Sequence, residues 1–402
     1  MITFSEALTL ISANTRPGEI VSERPETGRY SASAVRSPVN VPGFANSAMD
    51  GFAVKSHDCQ GDAKLKVAGT IIAGSGKPAA DAGAGSAYEI MTGAVMPDGY
   101  DSVVPVERTR QSDTGENAVV VVGEQVSAGL NVRLPGEDFS ENDPVLEAGG
   151  VITPEVLMGL AAVGANKIPQ YARPRVSIIT TGNELAEVDN ESESLDSGMI
   201  HDANRPFLEA AIERSGAVLA SSVAVGDEAT ELQNSIKEAA SCSNIILTTG
   251  GVSAGRMDFV PGSLTDTGAE IIFHKVAIRP GKPLLFAKLS DGTLVFGLPG
   301  NPVAVAACFR FFVTAAIRQM LGQTAEQFST ALLSNDVKKK PGLCFFGKAR
   351  SNITADGVQQ VELLPGQQSF KIRPLTNANC WLILDEKCSS AETGETVKIA
   401  AL

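Results

Sequence analysis

A chain of 402 residues, 43% hydrophobic and 20% charged, is globular and long enough for two to four domains. Its formal net charge of −13 excludes nucleic acid or an anionic membrane as the main partner, but not a small anion, which responds to local charge. Six cysteines without a CxxC pair, and three histidines, argue against a zinc ligand set or a disulfide framework.

The first segment, "MITFSEALTLISANT", carries an acidic residue and no basic run, so it reads as an amphipathic helix rather than an export signal. A cytoplasmic, soluble protein is expected. Residues 42–138 are rich in Gly and Val, with short strand signals ("LKVAGTIIAG", "SVVPVE", "NAVVVV") between turns, and predict an all-β insert. Inside it, "VPGFANSAMDGFAV" sets Asp50-Gly51 between Met49 and Phe52, and "EIMTGAVMPDGY" carries Thr92-Gly93. Both read as tight turns to which composition alone assigns no role.

From residue 173 to 321, strand and helix signals alternate. "RVSIITTG", "AVLASSVAV", "NIILTTGG" and "TLVFGLPGNP" are strands. "ANRPFLEAAIERSG" puts Phe207, Leu208, Ala211 and Ile212 on one helical face, and "DEATELQNSIKEAAS" puts Leu232 and Ile236 in phase. This rhythm predicts a parallel sheet covered on both faces. "NESESLDSG" (190–198) is an acidic loop within it. Asn301 is the expected N-cap, and Pro302 the first residue, of a helix through "PVAVAACFRFFVTAAI". That apolar run reads as a core helix, too short for a bilayer and interrupted by Arg310. Residues 326–402 predict a small β domain ("VQQVELLP", "CWLILDE", "ETVKIAAL").

Four unusual segments follow strands of the α/β part: Glu184 in "TTGNEL", Asp227 after "VAVG", "TTGGVSAGRMD", and "LPGNP". In a parallel sheet such ends share one edge, where ligands bind. Gly250, Gly251 and Gly255 let an anion approach backbone N–H groups, and Thr248, Thr249 and Ser253 add hydroxyl donors. Asp258 fits this picture if a cation such as magnesium bridges carboxylate and phosphate. "HKVAIRPGKP" supplies Lys275, Arg279 and Lys282, and alternation along "KVAIR" would put Lys275, Ala277 and Arg279 on one strand face. The plainer alternatives are ordinary turns, a capping role for Asp227, and a solvated basic strand.

"VPGFANSAMDGFAV", "IMTGAVMPDGYDSVVPVE", "NVRLPGEDF", "VSIITTGNEL", "TTGGVSAGRMDF", "RPGKP" and "GLPGNPVA" occur in this order along nearly the whole chain. Together they resemble the molybdopterin molybdenumtransferase family, whose animal counterpart is the C-terminal catalytic domain of gephyrin. The resemblance implies a multidomain α/β plus β fold. Residues 1–41 and 139–170 would form a linking and dimerisation domain, and 42–138 a β-rich insert. Residues 171–325 would form an α/β molybdopterin-binding domain with a mostly parallel sheet, similar to molybdopterin adenylyltransferase, and 326–402 a C-terminal β domain.

It also implies insertion of molybdate into adenylylated molybdopterin, with magnesium-dependent cleavage of the adenylyl pyrophosphate and release of AMP and molybdenum cofactor. The implied agent is a cytoplasmic homodimer, with the molybdopterin adenylyltransferase as a candidate partner. Matched to the motifs, catalytic roles fall on Asp50, Thr92, Asp138, Glu184, Asp227, Asp258, Lys275 and Lys282. Substrate binding falls on Thr249, Gly250, Gly251, Ser253, Gly255, Arg279, Pro299, Pro302, Lys348 and Ser369, and magnesium on Asp227 and Asp258. Arg279 stands where relatives often have lysine, Asn183 where aspartate is frequent, Phe52 for tyrosine, and Lys348 for arginine. A non-catalytic pterin-binding scaffold and a tungstate-inserting paralogue are the rival readings. A dinucleotide enzyme is disfavoured, because "TTGGVSAG" lacks GxGxxG spacing.

Overall fold

The computed structural model describes residues 1–74, 76, 81–112, 118–186, 197–226, 228–252 and 259–402. Three six-stranded sheets organise it. The first lies in the insert, in the order Ser102–Pro105, Gly51–Val54, Ser86–Ile90, Ala63–Ile71, Val119–Val122 and Thr109–Gln111. Alternation along Gly51–Val54 sends Phe52 and Val54 to one apolar cluster and Ala53 to another, so the sheet is buried on both faces by its own residues. Gly51 is fixed there by space: a Cβ would come within 2.1 Å of the Val104 carbonyl oxygen on the neighbouring strand. Gly51→Ala should therefore pry these strands apart, costing about 3 kcal/mol as severe overpacking. Hydrogen exchange should quicken across strands of 51–122 and not in the α/β sheet; unchanged insert protection would refute the clash.

The second sheet runs Val218–Val225, Arg175–Thr181, Ile245–Thr249, Leu294–Leu298, Leu285–Lys288 and Glu270–His274. The first four strands are parallel and the last two pairings antiparallel, so the sheet is mixed. The apolar run Ile245–Thr249 is buried throughout, as an interior parallel strand must be. Ile245 and Leu247 face one core and Ile246 the other. The second core is closed by the helices Ala229–Ala240 and Phe259–Asp266. The first takes Asn204–Arg214, the helix from Pro302 to Met320, and Ala7 and Ile11 of Phe4–Asn14. That first helix, grouped above with the linking segment, is held at its start by reciprocal Thr3–Glu6 capping and packs on the α/β part.

The Pro302–Met320 helix is longer than its apolar run suggested, and by length and composition it could cross a membrane. It is instead 72% buried within the fold, as a core helix is. Arg310, in its five-residue π turn, donates to Glu326 at 2.7 and 2.5 Å and to the Ala401 carbonyl at 2.7 Å. Asn301 does precede this helix, but its side chain makes no cap; its carbonyl accepts from Ala304 and Val305 instead.

The C-terminal sheet closes on itself, because Cys344–Ile353 pairs both with Gln359–Leu363 and with Cys380–Leu384. It shares Phe346, Trp381 and Ile383 with the α/β core, and Ile278–Arg279 adds a strand to it. These two units are therefore one packed body.

Candidate active site

Parallel register brings the strand ends together: Thr181 lies level with Val225, Thr180 with Thr249, and Thr249 with Leu298. The Arg175–Thr181 strand stands between the other two, so the ends leading to Asp227 and to Asp258 are not adjacent but about 10 Å apart. Asp227, Ser253, Gly255 and Asp258 lie outside the described residues, as does most of the acidic 190–198 loop. The N-cap of the Ala229–Ala240 helix is Glu228, whose side chain makes no capping hydrogen bond.

Beyond Thr249 the chain turns through Gly250 and Gly251 at φ of +88° and +62°, a pair of left-handed steps that only glycine takes without strain. A Cβ on Gly250 would meet the Thr181 hydroxyl at 2.8 Å and its carbonyl at 2.9 Å. The Gly250 N–H donates to the Leu298 carbonyl (3.2 Å), and the Thr181 hydroxyl to the Thr249 carbonyl (3.0 Å). A Cβ on Gly300 would touch the Gly250 Cα at 3.8 Å, so the turns after Thr249 and Leu298 face one another. Pro299 is buried and Pro302 half-buried in that second turn. Glu184 is exposed at the same edge, its carboxylate folded over Gly182.

The threonines depart from expectation. Thr248 and Thr249 are only 0% and 1% exposed, so their hydroxyls are not offered to a ligand at the surface. Backbone and the flanking loops, not these side chains, form the open face.

The basic segment also departs from its predicted form. Lys275 adopts a left-handed φ of +74°, which ends the preceding strand and breaks the alternation assumed for "KVAIR". Val276 bridges to Ile2, Ala277 is buried, Lys275 is half-buried, and Arg279 and Lys282 are exposed. Only the start of the segment lies by the glycine turn. His274 Nε2 lies 3.0 Å from the Val252 carbonyl, and a Cβ on Gly281 would press on Cys308 Sγ in the helix that follows Pro302. Among the described residues, none of Lys275, Arg279 and Lys282 is in an ion pair.

Lys348 is not such a cation. It is 0% exposed, and its ammonium donates to the carbonyls of Gly366 (2.8 Å), Gln368 (3.0 Å) and Lys371 (3.1 Å). Burial, with the Lys371 charge nearby, pushes its pKa down to about 8, while three carbonyl acceptors favour the charged form at neutral pH. The expected direct grip on an anion is therefore replaced by a grip on its own loop. Ser369, in that loop, accepts the Val303 N–H at its carbonyl (3.1 Å), which sets it against the helix that starts at Pro302.

In the insert, Asp50 and Thr92 meet. The Thr92 N–H and hydroxyl donate to the Asp50 carboxylate at 2.6 and 2.9 Å. The N–H chiefly, and the hydroxyl next, hold its pKa below 3.8. Such a depressed group contributes stability above the unfolded pKa and loses it as pH falls through the folded value. Thr92→Val keeps the N–H and drops the hydroxyl, so the Asp50 titration should move to higher pH; carboxyl NMR showing no movement would deny the hydroxyl that role. Asp138 is exposed at the neck of the insert, where its N–H donates to the Val41 carbonyl (3.0 Å).

Two residues escaped the sequence reading. Asn204, 7% exposed, donates its side-chain N–H to the Gly300 carbonyl (2.9 Å), bracing the second turn from the start of its helix. Asp202 accepts from the N–H groups of Asn204 and Arg205 at 2.9 and 3.1 Å. The "DANR" spacing of an acid two residues before a helix was the available signal.

Residues 2–164 match the family model described as MoeA N-terminal region (domain I and II), and residues 177–368 match one described as probable molybdopterin binding domain. A protein named molybdopterin molybdenumtransferase from Haemophilus influenzae is 34% identical over 95% of this chain and 93% of its own length. One so named from Synechococcus elongatus is 34% identical, with both chains covered completely. The solved structure of a molybdopterin biosynthesis moeA protein from Pyrococcus horikoshii superposes with a TM-score of 0.83 at 25% identity, covering 100% of this chain and 99% of that one.

Proposed function

The chain belongs to the molybdopterin molybdenumtransferase family and is an enzyme of molybdenum cofactor biosynthesis, and from that premise we propose that it inserts molybdate into adenylylated molybdopterin. In the proposed reaction the adenylyl pyrophosphate is cleaved, releasing AMP and molybdenum cofactor, in a cytoplasmic homodimer. The observation that supports it most is that Lys275, Arg279 and Lys282, none of them in an ion pair among the described residues, sit on one short segment that starts beside His274, whose Nε2 lies 3.0 Å from the Val252 carbonyl just past the glycine turn. Both substrates are anions, so bringing them together requires local positive charge and backbone donors that offset their repulsion.

Lys275, Arg279 and Lys282 would hold phosphate and molybdate oxygens, and the Gly250–Gly251 backbone would admit the pterin phosphate. A molybdate oxygen, rather than a protein nucleophile, would attack the molybdopterin-side phosphorus with AMP as the leaving group; the dithiolene sulfurs would then take molybdenum as the Mo–O bond breaks and that oxygen stays on the phosphate. Magnesium bound by Asp227 and Asp258 would supply Lewis-acid polarisation of the phosphates; that assignment rests on sequence. Incubation with adenylylated molybdopterin, magnesium and molybdate or tungstate should release AMP. Release with tungstate alone would favour the tungstate reading, and silence with both oxyanions would defeat the proposal.

Lys282→Ala should raise the half-saturating molybdate concentration about 10- to 100-fold, as loss of a hydrogen bond to a charged group does. Lys282 is exposed, so stability should change by less than about 0.5 kcal/mol. An unchanged molybdate curve beside a large drop in melting temperature would make Lys282 structural.

A further inference from the structure

We propose that Lys348 is a positioning residue that holds the 366–371 loop so that Ser369 stays docked on the helix beginning at Pro302, joining the C-terminal barrel to the edge of the α/β site. A buried ammonium is costly and is weak evidence for stability, so its use here is geometric. All three carbonyls it binds belong to one short loop, and they fan around a single nitrogen. Gln367 fastens the same loop from the other side. Its Oε1 accepts the Lys348 N–H (3.0 Å), and its Nε2 donates to the carbonyls of Lys348 (2.9 Å) and Leu364 (2.7 Å).

The loop so clamped spends the Ser369 carbonyl on the Val303 N–H, one residue into the helix after the Gly300 turn. Asn204 holds the Gly300 carbonyl from the start of its own helix. The turn and the helix start after it are thus each held by one outside hydrogen bond, and Lys348 controls the second without touching substrate. Lys348 lies in the interior of Cys344–Ile353, opposite Trp381, so the strand that carries it is also held by its pairing with Cys380–Leu384, outside the loop.

The inference about activity rests on the proposed reaction, whereas the inference about the brace does not. Three variants test it: Lys348→Met, Lys348→Arg and Gln367→Ala, each followed by hydrogen exchange at the Val303 amide and by AMP release against molybdate concentration. Lys348→Met and Gln367→Ala should both speed Val303 exchange about tenfold, the loss of one ordinary hydrogen bond. Both should raise the half-saturating molybdate concentration in parallel, with exchange in the remaining barrel strands unchanged. Lys348→Arg should recover part of both effects. If Lys348→Met shifts the molybdate curve while Val303 stays protected and Gln367→Ala has no effect, Lys348 is a direct anion ligand and the proposal falls. It also falls if exchange rises throughout the barrel, a general structural role. Should Lys348→Met fail to fold, Gln367→Ala still decides. If the wild-type protein releases no AMP, the proposed reaction fails, and Val303 exchange judges the brace alone.

Discussion

AMP release should fall about a thousandfold in Asp258→Asn and in Asp227→Asn, with melting temperatures close to wild type. Each substitution removes one unit of negative charge and keeps the side-chain shape. The strand ends that lead to these residues, Thr249 and Val225, flank Thr181 on the edge where the chain turns through Gly250 and Gly251. Lewis-acid stabilisation of developing charge is worth several kcal/mol, and about 4 kcal/mol is a thousandfold in rate. A single carboxylate left to hold the cation should also raise the magnesium concentration needed for the residual rate. Near-normal turnover of both variants at saturating magnesium would remove the metal from the proposal.

What could be read from sequence was local: strands, helices and the residues that follow them. Strand signals such as "NIILTT" carry burial on both faces, and Pro302 announces the start of its helix. What sequence could not carry was the identity of distant partners. Lys275 looked like the start of an alternating strand because nothing local shows that Ile2 pairs beside it and the backbone turns left-handed. Lys348 took its substrate-binding role from its place in the family motif, and lysine is seldom fully buried. Its acceptors lie about twenty residues on, in a loop whose carbonyls face inward only once the barrel has closed. Thr248 and Thr249 looked like donors at an open end, but both are buried. The order of the strand ends, with Thr181 between the other two, is likewise a property of the sheet.

Mixing two dead variants should restore activity. Asp50 is joined by its hydrogen bonds to Thr92 and Val106, all within the insert. The two apolar clusters that bury the insert sheet contain only residues of the insert and its neck. The α/β sheet and the barrel share a core, and the insert has no part in it. Nothing described in one protomer brings the Asp50 carboxylate to the Gly250–Gly251 turn. We propose that Asp50 completes the site of its partner in a symmetric dimer. Each interface contact of such a dimer occurs twice, so two shared sites result. Asp50→Ala and Asp258→Ala homodimers should each be inactive. After unfolding, mixing in equal amounts and refolding, about half the dimers are mixed, and each of these has one intact and one doubly damaged site. The mixture should regain about a quarter of wild-type activity by the same symmetry. If Asp50 served its own chain, every site in the mixture would lack one carboxylate. Verified heterodimers that stay inactive would sink the shared site.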